Sequence, residues 1–212
     1  MHGFANLTVV DHPLVRHKLG LLRAAATPKK LFAELVDELS MLMTYEVTRG
    51  LQEREVEIET PLERMTGSSI VGQDIVVVPI LRAGLGMARG FLRIVPTARV
   101  GHVGMARDEA SLQPVEYYYK VPETDHARRF VVVDPMLATG GSASATIGGL
   151  KERGGRHIVL MCLVAAPEGV RALAAAHPDA HVYAAALDRE LNEAGYILPG
   201  LGDAGDRMFG TT

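Results

Sequence analysis

Apolar positions along this chain follow two rhythms. Short apolar runs rich in β-branched residues stand at Ile75–Ile80, Arg99–Ala106, Phe130–Val133, His157–Ala165 and Val182–Leu187. Runs of this length bounded by turn residues predict strands buried on both faces. Between them the spacing is helical. Leu31, Leu35, Leu39, Leu42 and Met43 predict a helix from Pro28 to about Arg49, with Thr27 as cap and Gly50 as stop. Residues 11–25 predict a first helix capped by Asp11, with Leu14, Leu19, Leu21 and Leu22 on its apolar side. Further helices are expected up to Ile94, over Ala143–Arg153 and over Pro167–Ala176. Glu55-Val56-Glu57-Ile58-Glu59 alternates, which predicts an edge strand with one wet face. Strands alternating with helices indicate an α/β fold with a doubly wound, mainly parallel sheet, flanking helices and an N-terminal helical layer. One domain over residues 1–212 is expected, since no repeat or low-complexity linker interrupts the pattern.

The chemistry concentrates where the strand Phe130–Val133 ends. Asp134-Pro135-Met136-Leu137-Ala138-Thr139-Gly140-Gly141-Ser142 follows, and a helix starts immediately after it. A strand, a loop of small residues and a helix start place free backbone N–H groups and the positive end of a helix dipole at one point, which suits a phosphate. Thr139 and Ser142 add hydroxyl donors, and the Asp134 carboxylate can accept from both hydroxyls of a vicinal diol. A ribose 5-phosphate therefore suits this segment better than a free anion. Arg82 sits at the end of the strand Ile75–Ile80, where ligands of open α/β sheets bind, and its fork matches a pyrophosphate oxygen pair. Gly84-x-Gly86 with Gly90 is a weak dinucleotide signal, because the third glycine is one place late.

Two further stretches stand apart. Residues 105–129, with Tyr117-Tyr118-Tyr119-Lys120 inside, lack helical periodicity and are long for a plain connection, so a β-arm or lid is expected. The tyrosines suit a cross-strand pair or an interface, and carry no catalytic role. The tail of about 188–212 contains Gly195-Tyr196-Ile197-Leu198-Pro199-Gly200-Leu201-Gly202-Asp203-Ala204-Gly205-Asp206, too rich in glycine to continue a helix or central strand. Its embedded apolar residues argue for an ordered loop.

Composition narrows the classes. A net charge of −3 gives little support to nucleic-acid binding, although Arg82, Arg89, Arg93 and Arg99 cluster locally. The single Cys162 lies in a buried-strand pattern and reads as a core thiol; without a disulfide framework, a cytoplasmic protein is expected. The opening Met-His-Gly-Phe-Ala-Asn has no signal pattern, and no apolar run is long enough to span a bilayer. The eight histidines show no zinc-type pair.

The Asp134–Ser142 segment resembles the phosphoribosyl pyrophosphate (PRPP) motif of type I phosphoribosyltransferases. With Pro135 in place of a second acid, it is similar to that of the uracil phosphoribosyltransferase family. The resemblance runs from Asp11-His12-Pro13 to Phe209-Gly210-Thr211 and includes Pro79-Ile80-Leu81-Arg82-Ala83-Gly84-Leu85-Gly86. It implies transfer of phosphoribose from PRPP to N1 of uracil, giving UMP and pyrophosphate in pyrimidine salvage. It further implies PRPP contacts at Arg82, Arg107, Asp134, Pro135, Met136, Leu137, Ala138, Thr139, Gly140, Gly141, Ser142 and Asp203. Uracil contacts fall at Tyr196, Ile197, Gly202, Asp203 and Ala204, with Tyr196 a wall beside C5 and Met136 against the base. Asp134, Arg82, Arg107 and Asp203 are the implied catalytic set, Asp203 being a candidate acceptor of the N1 proton. Mg²⁺ is the implied cofactor, held by PRPP oxygens more than by protein. A homodimer or larger homo-oligomer and a GTP effector also follow from the resemblance, while no membrane or nucleic-acid partner does. Two rivals have sequence requirements of their own. Orotate would call for a cation in the base loop, and residues 195–206 contain none. A PRPP-binding regulator of RNA or DNA would need a basic face.

Overall fold

The computed structural model describes residues 3–71, 74–107, 114–123 and 129–211, apart from the side chains of Arg107 and Pro114. The chain opens with β1 (Leu7–Val9), α1 (Pro13–Arg23) and α2 (Lys29–Val47), then β2 (Glu53–Glu59) and β3 (Arg64–Ile70). Next come β4 (Ile75–Leu81), α3 (Gly84–Ile94), β5 (Arg99–Val100), β6 (His102–Arg107) and β7 (Pro114–Lys120). The central segment is β8 (Arg129–Val133), β9 (Met136–Leu137), α4 (Gly141–Glu152) and β10 (His157–Ala165). α5 (Pro167–Ala176), β11 (His181–Leu187), β12 (Glu190–Leu191), β13 (Ile197–Leu198) and α6 (Ala204–Phe209) complete it.

The main sheet has the order β1-β11-β10-β8-β4-β6-β7, with β5 beside β4 and β9 beside β10. All its pairs are parallel except β6–β7. Strand alternation divides the core in two. Ile75, Val77, Val131 and Val133 pack under Leu22, Phe32, Leu39 and Phe91 of α1, α2 and α3. Val76, Val78, Phe130 and Val132 pack under Ile147, Leu150, Val170 and Leu173 of α4 and α5. Both faces are therefore covered, which is why the central strands read as unbroken apolar runs.

Several expectations change at the edges. The alternating Glu55–Glu59 is not an edge of the main sheet. It belongs to β2, paired antiparallel with β3 in a separate two-stranded ribbon from Glu53↔Ile70 to Glu59↔Arg64. The partner, Arg-Met-Thr-Gly-Ser-Ser-Ile, has no apolar alternation to announce it. Asp11 does not cap α1; the His12 Nδ1 accepts from the Leu14 N–H at 3.2 Å, and Asp11 pairs with Arg16. Thr27 donates its hydroxyl to the Leu21 carbonyl, leaving Pro28 at the cap of α2. α2 ends at Val47 rather than near Arg49, with Thr48 rather than Gly50 closing it. The predicted third strand breaks at Gly101, whose N–H donates to the Val77 carbonyl at 2.9 Å. β1, too short to show a pattern, adds an edge beside β11. The glycine-rich tail is not all loop, because α6 starts at Ala204.

The glycines of the apparent dinucleotide fingerprint serve packing. A Cβ at Gly84 would lie 2.4 Å from the Val133 carbonyl oxygen, and one at Gly90 would lie 2.3 Å from that of Asp37. α2 and α3 thus cross backbone to backbone. Gly90→Val is expected to lower the urea midpoint by the equivalent of about 3 kcal/mol or more, since backbone cannot yield as a side chain would. An unchanged midpoint would show that the crossing relaxes.

No helix among the described residues is long and apolar enough to cross a membrane.

Candidate active site

The carboxyl ends of β4, β8, β10 and β11 share one edge of the sheet, and the sequence-predicted residues gather there. β8 ends at Val133, the chain steps out, and it re-enters beside β10 as β9. The Pro135 carbonyl takes the N–H groups of both Leu163 and Val164 at 3.0 Å, so the proline interrupts the strand without ending it. Asp134 sits at this step, half-buried.

The loop after it is fixed from behind by α5. A Cβ on Gly169 would lie 2.3 Å from the Ala138 carbonyl oxygen, and the Ala166 N–H donates to the Leu137 carbonyl at 2.9 Å. Gly140, at φ +85°, turns the chain into α4. That left-handed conformation is one an L side chain rarely adopts. Asp134 and residues 136–143 line a pocket of about 110 Å³.

Burial pushes the Asp134 carboxyl up to about 7, and the nearby Asp203 charge adds to the rise; an N–H bond from Met136 opposes it. The same edge holds the Cys162 thiol, fully buried on β10. Burial, then the Asp134 charge, raise its pKa, so it stays protonated as a core thiol.

Arg82 follows β4 through a cis Leu81–Arg82 peptide. Its guanidinium is 3.5 Å from Asp206 Oδ1, 6.0 Å from the centre of the Phe209 ring and more than half exposed. The other arginines of the local cluster are also matched: Arg89 and Arg93 to Asp37, Arg99 to Asp74. Each of these arginines thus faces a carboxylate rather than standing alone. Arg107 ends β6, and its side chain lies outside the described residues, as do 108–113 and 124–128 of the expected arm. The described part of the arm is β6 paired with β7. Its Tyr117 and Tyr118 are exposed, and Arg153 stacks on the Tyr119 ring at 3.8 Å.

The tail forms a hood over this edge. β12 and β13 make a short hairpin, with Glu190 opposite Leu198. A Cβ on Gly195 would lie 3.8 Å from the Thr139 methyl, so the hairpin reaches the loop that follows Asp134. Tyr196, beside it, is half exposed, whereas the Ile197 side chain goes into the core and leaves only backbone for a ligand. Gly202 and Asp203 are exposed, and Ala204 is buried. Asp203 Oδ1 accepts from the Asp206 N–H at 2.9 Å, capping α6.

Four residues that build this hood carried no sequence signal. Arg23, closing α1, donates to both Asp188 oxygens at 2.6 and 2.7 Å and to the Gly200 carbonyl at 2.6 Å. Asp188 Oδ2 also accepts from the Gly200 N–H at 2.9 Å. Arg207 donates to the carbonyls of Leu201 at 2.7 Å and Ala24 at 2.6 Å, with its guanidinium 4.4 Å from the Phe32 ring centre. Glu168 of α5 accepts from the Leu191 N–H at 3.4 Å. These partners are far apart in sequence and share no periodicity.

Comparison with known proteins places this architecture. A family model described as uracil phosphoribosyltransferase matches residues 9–211. A uracil phosphoribosyltransferase of Macrococcus caseolyticus is 59% identical over 207 residues, covering 98% of this chain and 99% of the relative. A solved structure from Aquifex aeolicus superposes with a TM-score of 0.90 at 33% identity, over 97% of this chain and 99% of that one. A hypoxanthine-guanine phosphoribosyltransferase of Bacillus anthracis shares the fold at a TM-score of 0.50 and 11% identity, over 76% and 80% of the two chains. A match to one family from Val9 to Thr211 leaves one assignment: this chain belongs to the uracil phosphoribosyltransferase family.

Proposed function

We propose that the Asp134–Ser142 cradle holds the phosphoribosyl end of PRPP and the hood loop holds uracil. The reaction is that of the family, transfer of the phosphoribosyl group from PRPP to N1 of uracil, giving UMP and pyrophosphate in pyrimidine salvage. The observation that carries this placement is the meeting of a glycine-turned phosphate loop, a half-buried carboxylate and a backbone-rich hood at one strand-end edge.

In this reading Asp134 accepts from the ribose hydroxyls. Pro135, Met136, Leu137, Ala138, Thr139, Gly140, Gly141 and Ser142 surround the ribose and 5′-phosphate, and so fix the position of C1. Arg82 and Arg107 take the pyrophosphate, whose charge grows as the C1–O bond opens. Arg82 can swing there because a surface pair at 3.5 Å holds it weakly. Met136 lies against the uracil, with Ile197, Gly202, Asp203 and Ala204 along its polar edge. That edge carries two carbonyl acceptors and one N–H donor, which backbone can read without a charged side chain. Asp203, already capping α6, is the candidate acceptor for the N1 proton.

Mg²⁺ belongs to the same reading. Asp134 and Asp203 are hard oxygen donors close enough for one charge to raise the pKa of the other, an arrangement a divalent cation relieves. Among the described residues no group of three potential ligands forms a metal cluster, so PRPP oxygens and water would complete the shell. Bound Mg²⁺ would neutralise charge on the departing pyrophosphate. A GTP effector and a cytoplasmic location complete the proposal, together with a homo-oligomer. Exposed Leu62 and Met65 at the tip of the β2–β3 ribbon support an oligomer contact.

The test is pyrophosphate release with PRPP, Mg²⁺ and, in turn, uracil, orotate, hypoxanthine and adenine, with and without GTP. Turnover with uracil alone is expected; no turnover with any base despite PRPP binding would overturn the reading. Tyr196→Ala is expected to raise kcat/KM for 5-methyluracil relative to uracil by about tenfold, since a pocket wall discriminates a methyl group by roughly that factor. Unchanged discrimination would remove the tyrosine from C5.

A further inference from the structure

Attack by N1 on C1 of the ribose leaves one problem to the protein. As the N1–H proton departs to water, directly or by way of Asp203, negative charge spreads onto the uracil carbonyl oxygens. The hood loop 195–206 contains no Lys or Arg to meet it. A cation nevertheless stands behind the loop. Arg207 Nη1 donates to the Leu201 carbonyl at 2.7 Å, and that carbonyl belongs to the same peptide group as the Gly202 N–H. Gly202 is exposed, and its N–H has no partner among the described residues.

Arg207 differs from the other arginine on this loop. Arg23 is neutralised by Asp188, whereas Arg207 makes no ion pair among the described residues. Its contacts are two carbonyls and the face of Phe32. The nearest acids along its own helix are engaged elsewhere, Asp206 with Arg82 and Thr211, Asp203 with the helix cap. Half-buried and unneutralised, the guanidinium polarises the peptide it holds.

We propose that Arg207 is a positioning residue that works through the Leu201–Gly202 peptide. By drawing electron density toward the Leu201 oxygen, it makes the Gly202 N–H a stronger donor to a uracil carbonyl, and does so most as the ring becomes anionic. N1 then forms its bond to C1 with the electron pair released by the departing proton, and the pyrophosphate leaves with the C1–O pair. The inference rests on the placement of uracil in the hood loop.

The experiment compares kcat/KM for uracil and 5-fluorouracil in the unmodified enzyme, Arg207→Lys and Arg207→Gln. Fluorine is small and makes N1–H more acidic, so 5-fluorouracil needs less help. Arg207→Gln is expected to lower kcat/KM for uracil by about 10- to 30-fold, less than a lost direct donor would, and for 5-fluorouracil by about threefold or less. The KM for PRPP should stay within about twofold, since the cradle is untouched. Arg207→Lys keeps the charge and should lose less, still unevenly between the two bases, which carries the test if Arg207→Gln does not fold. Equal losses for both bases would overturn the relay and leave Arg207 a structural brace. Gly202→Ala, at φ +75°, tests the underlying placement separately. If its uracil kinetics are unchanged, the loop does not hold the base and the placement itself falls. If Gly202→Ala loses uracil activity while Arg207→Gln shows no selectivity, only the relay fails.

Discussion

Asp134→Asn is expected to yield a protein that is more stable than the unmodified chain above pH 7 and at least about 100-fold less active. In the proposed binding mode the loss follows from replacing a charged acceptor of two ribose hydroxyls by an amide, each charge-assisted bond being worth roughly 1.5–3 kcal/mol. The gain follows from linkage. The Asp134 carboxyl is pushed up to about 7 in the folded chain, chiefly by burial, while an unfolded chain holds it at the ordinary carboxylate value. Between those values the native state carries a proton that the unfolded state has lost. Stability is therefore greatest below the ordinary value and declines as pH rises toward about 7. The full decline is bounded at about 4 kcal/mol for a rise of some three units. Urea unfolding of the ligand-free protein from pH 4 to 8 should show this slope, and Asp134→Asn should flatten it. Activity runs the other way: kcat/KM for PRPP should fall below about pH 7 as Asp134 takes up its proton. Equal slopes in both proteins would mean that water reaches the carboxyl and that burial does not govern it.

The second large effect belongs to Arg23 and Asp188. Asp188 is almost fully enclosed, and its oxygens meet the Arg23 guanidinium at 2.6 and 2.7 Å. Removing one partner leaves the other charge buried alone, so Asp188→Ala should cost about 3–5 kcal/mol. For a chain of this length that corresponds to a drop in Tm of roughly 6–20 °C. The pair also clamps Gly200, within the hood loop proposed to hold uracil, by both its N–H and its carbonyl. Arg23→Met with Asp188→Leu should therefore recover most of the stability, because replacing both partners of a buried pair by apolar groups is often neutral. It should not recover the KM for uracil, which is expected to remain about tenfold raised while that for PRPP is unchanged. Recovery of both would reduce the clamp to a stabilising contact.

Much of the fold could be read before any coordinates. The buried strands Ile75–Leu81 and His157–Ala165 and the helix α5 lie within a residue or so of their predicted positions, and α3 ends at Ile94 as predicted but starts earlier, at Gly84. Burial on both faces leaves an unbroken apolar run, and its short length bounded by turn residues marks a strand. The β2–β3 ribbon shows the converse. Its residues are exposed or half-buried, so no burial pattern announces them, and the pairing adds only surface contacts such as Thr66–Glu57 and Arg64–Glu59 to the backbone ladder. Helix caps also moved: His12 takes the Leu14 N–H in place of Asp11, and Thr27 spends its hydroxyl on the Leu21 carbonyl, which leaves Pro28 at the start of α2 without a side-chain cap.

The sequence by itself determined the local half of this protein: strands and helices of the core, and the Asp134–Ser142 loop with its small residues and acid in order. These depend on contacts within one element, so neighbouring residues specify them. Only the tertiary structure decided what stands behind the loops. Gly169 packs under Ala138, Arg23 and Asp188 close on Gly200 across a separation of 165 residues, and Arg207 reaches the Leu201 and Ala24 carbonyls. An arginine in a helix has the same local pattern whether it meets water or a distant carbonyl. Which it meets is fixed when the sheet brings α1, α2 and the tail together.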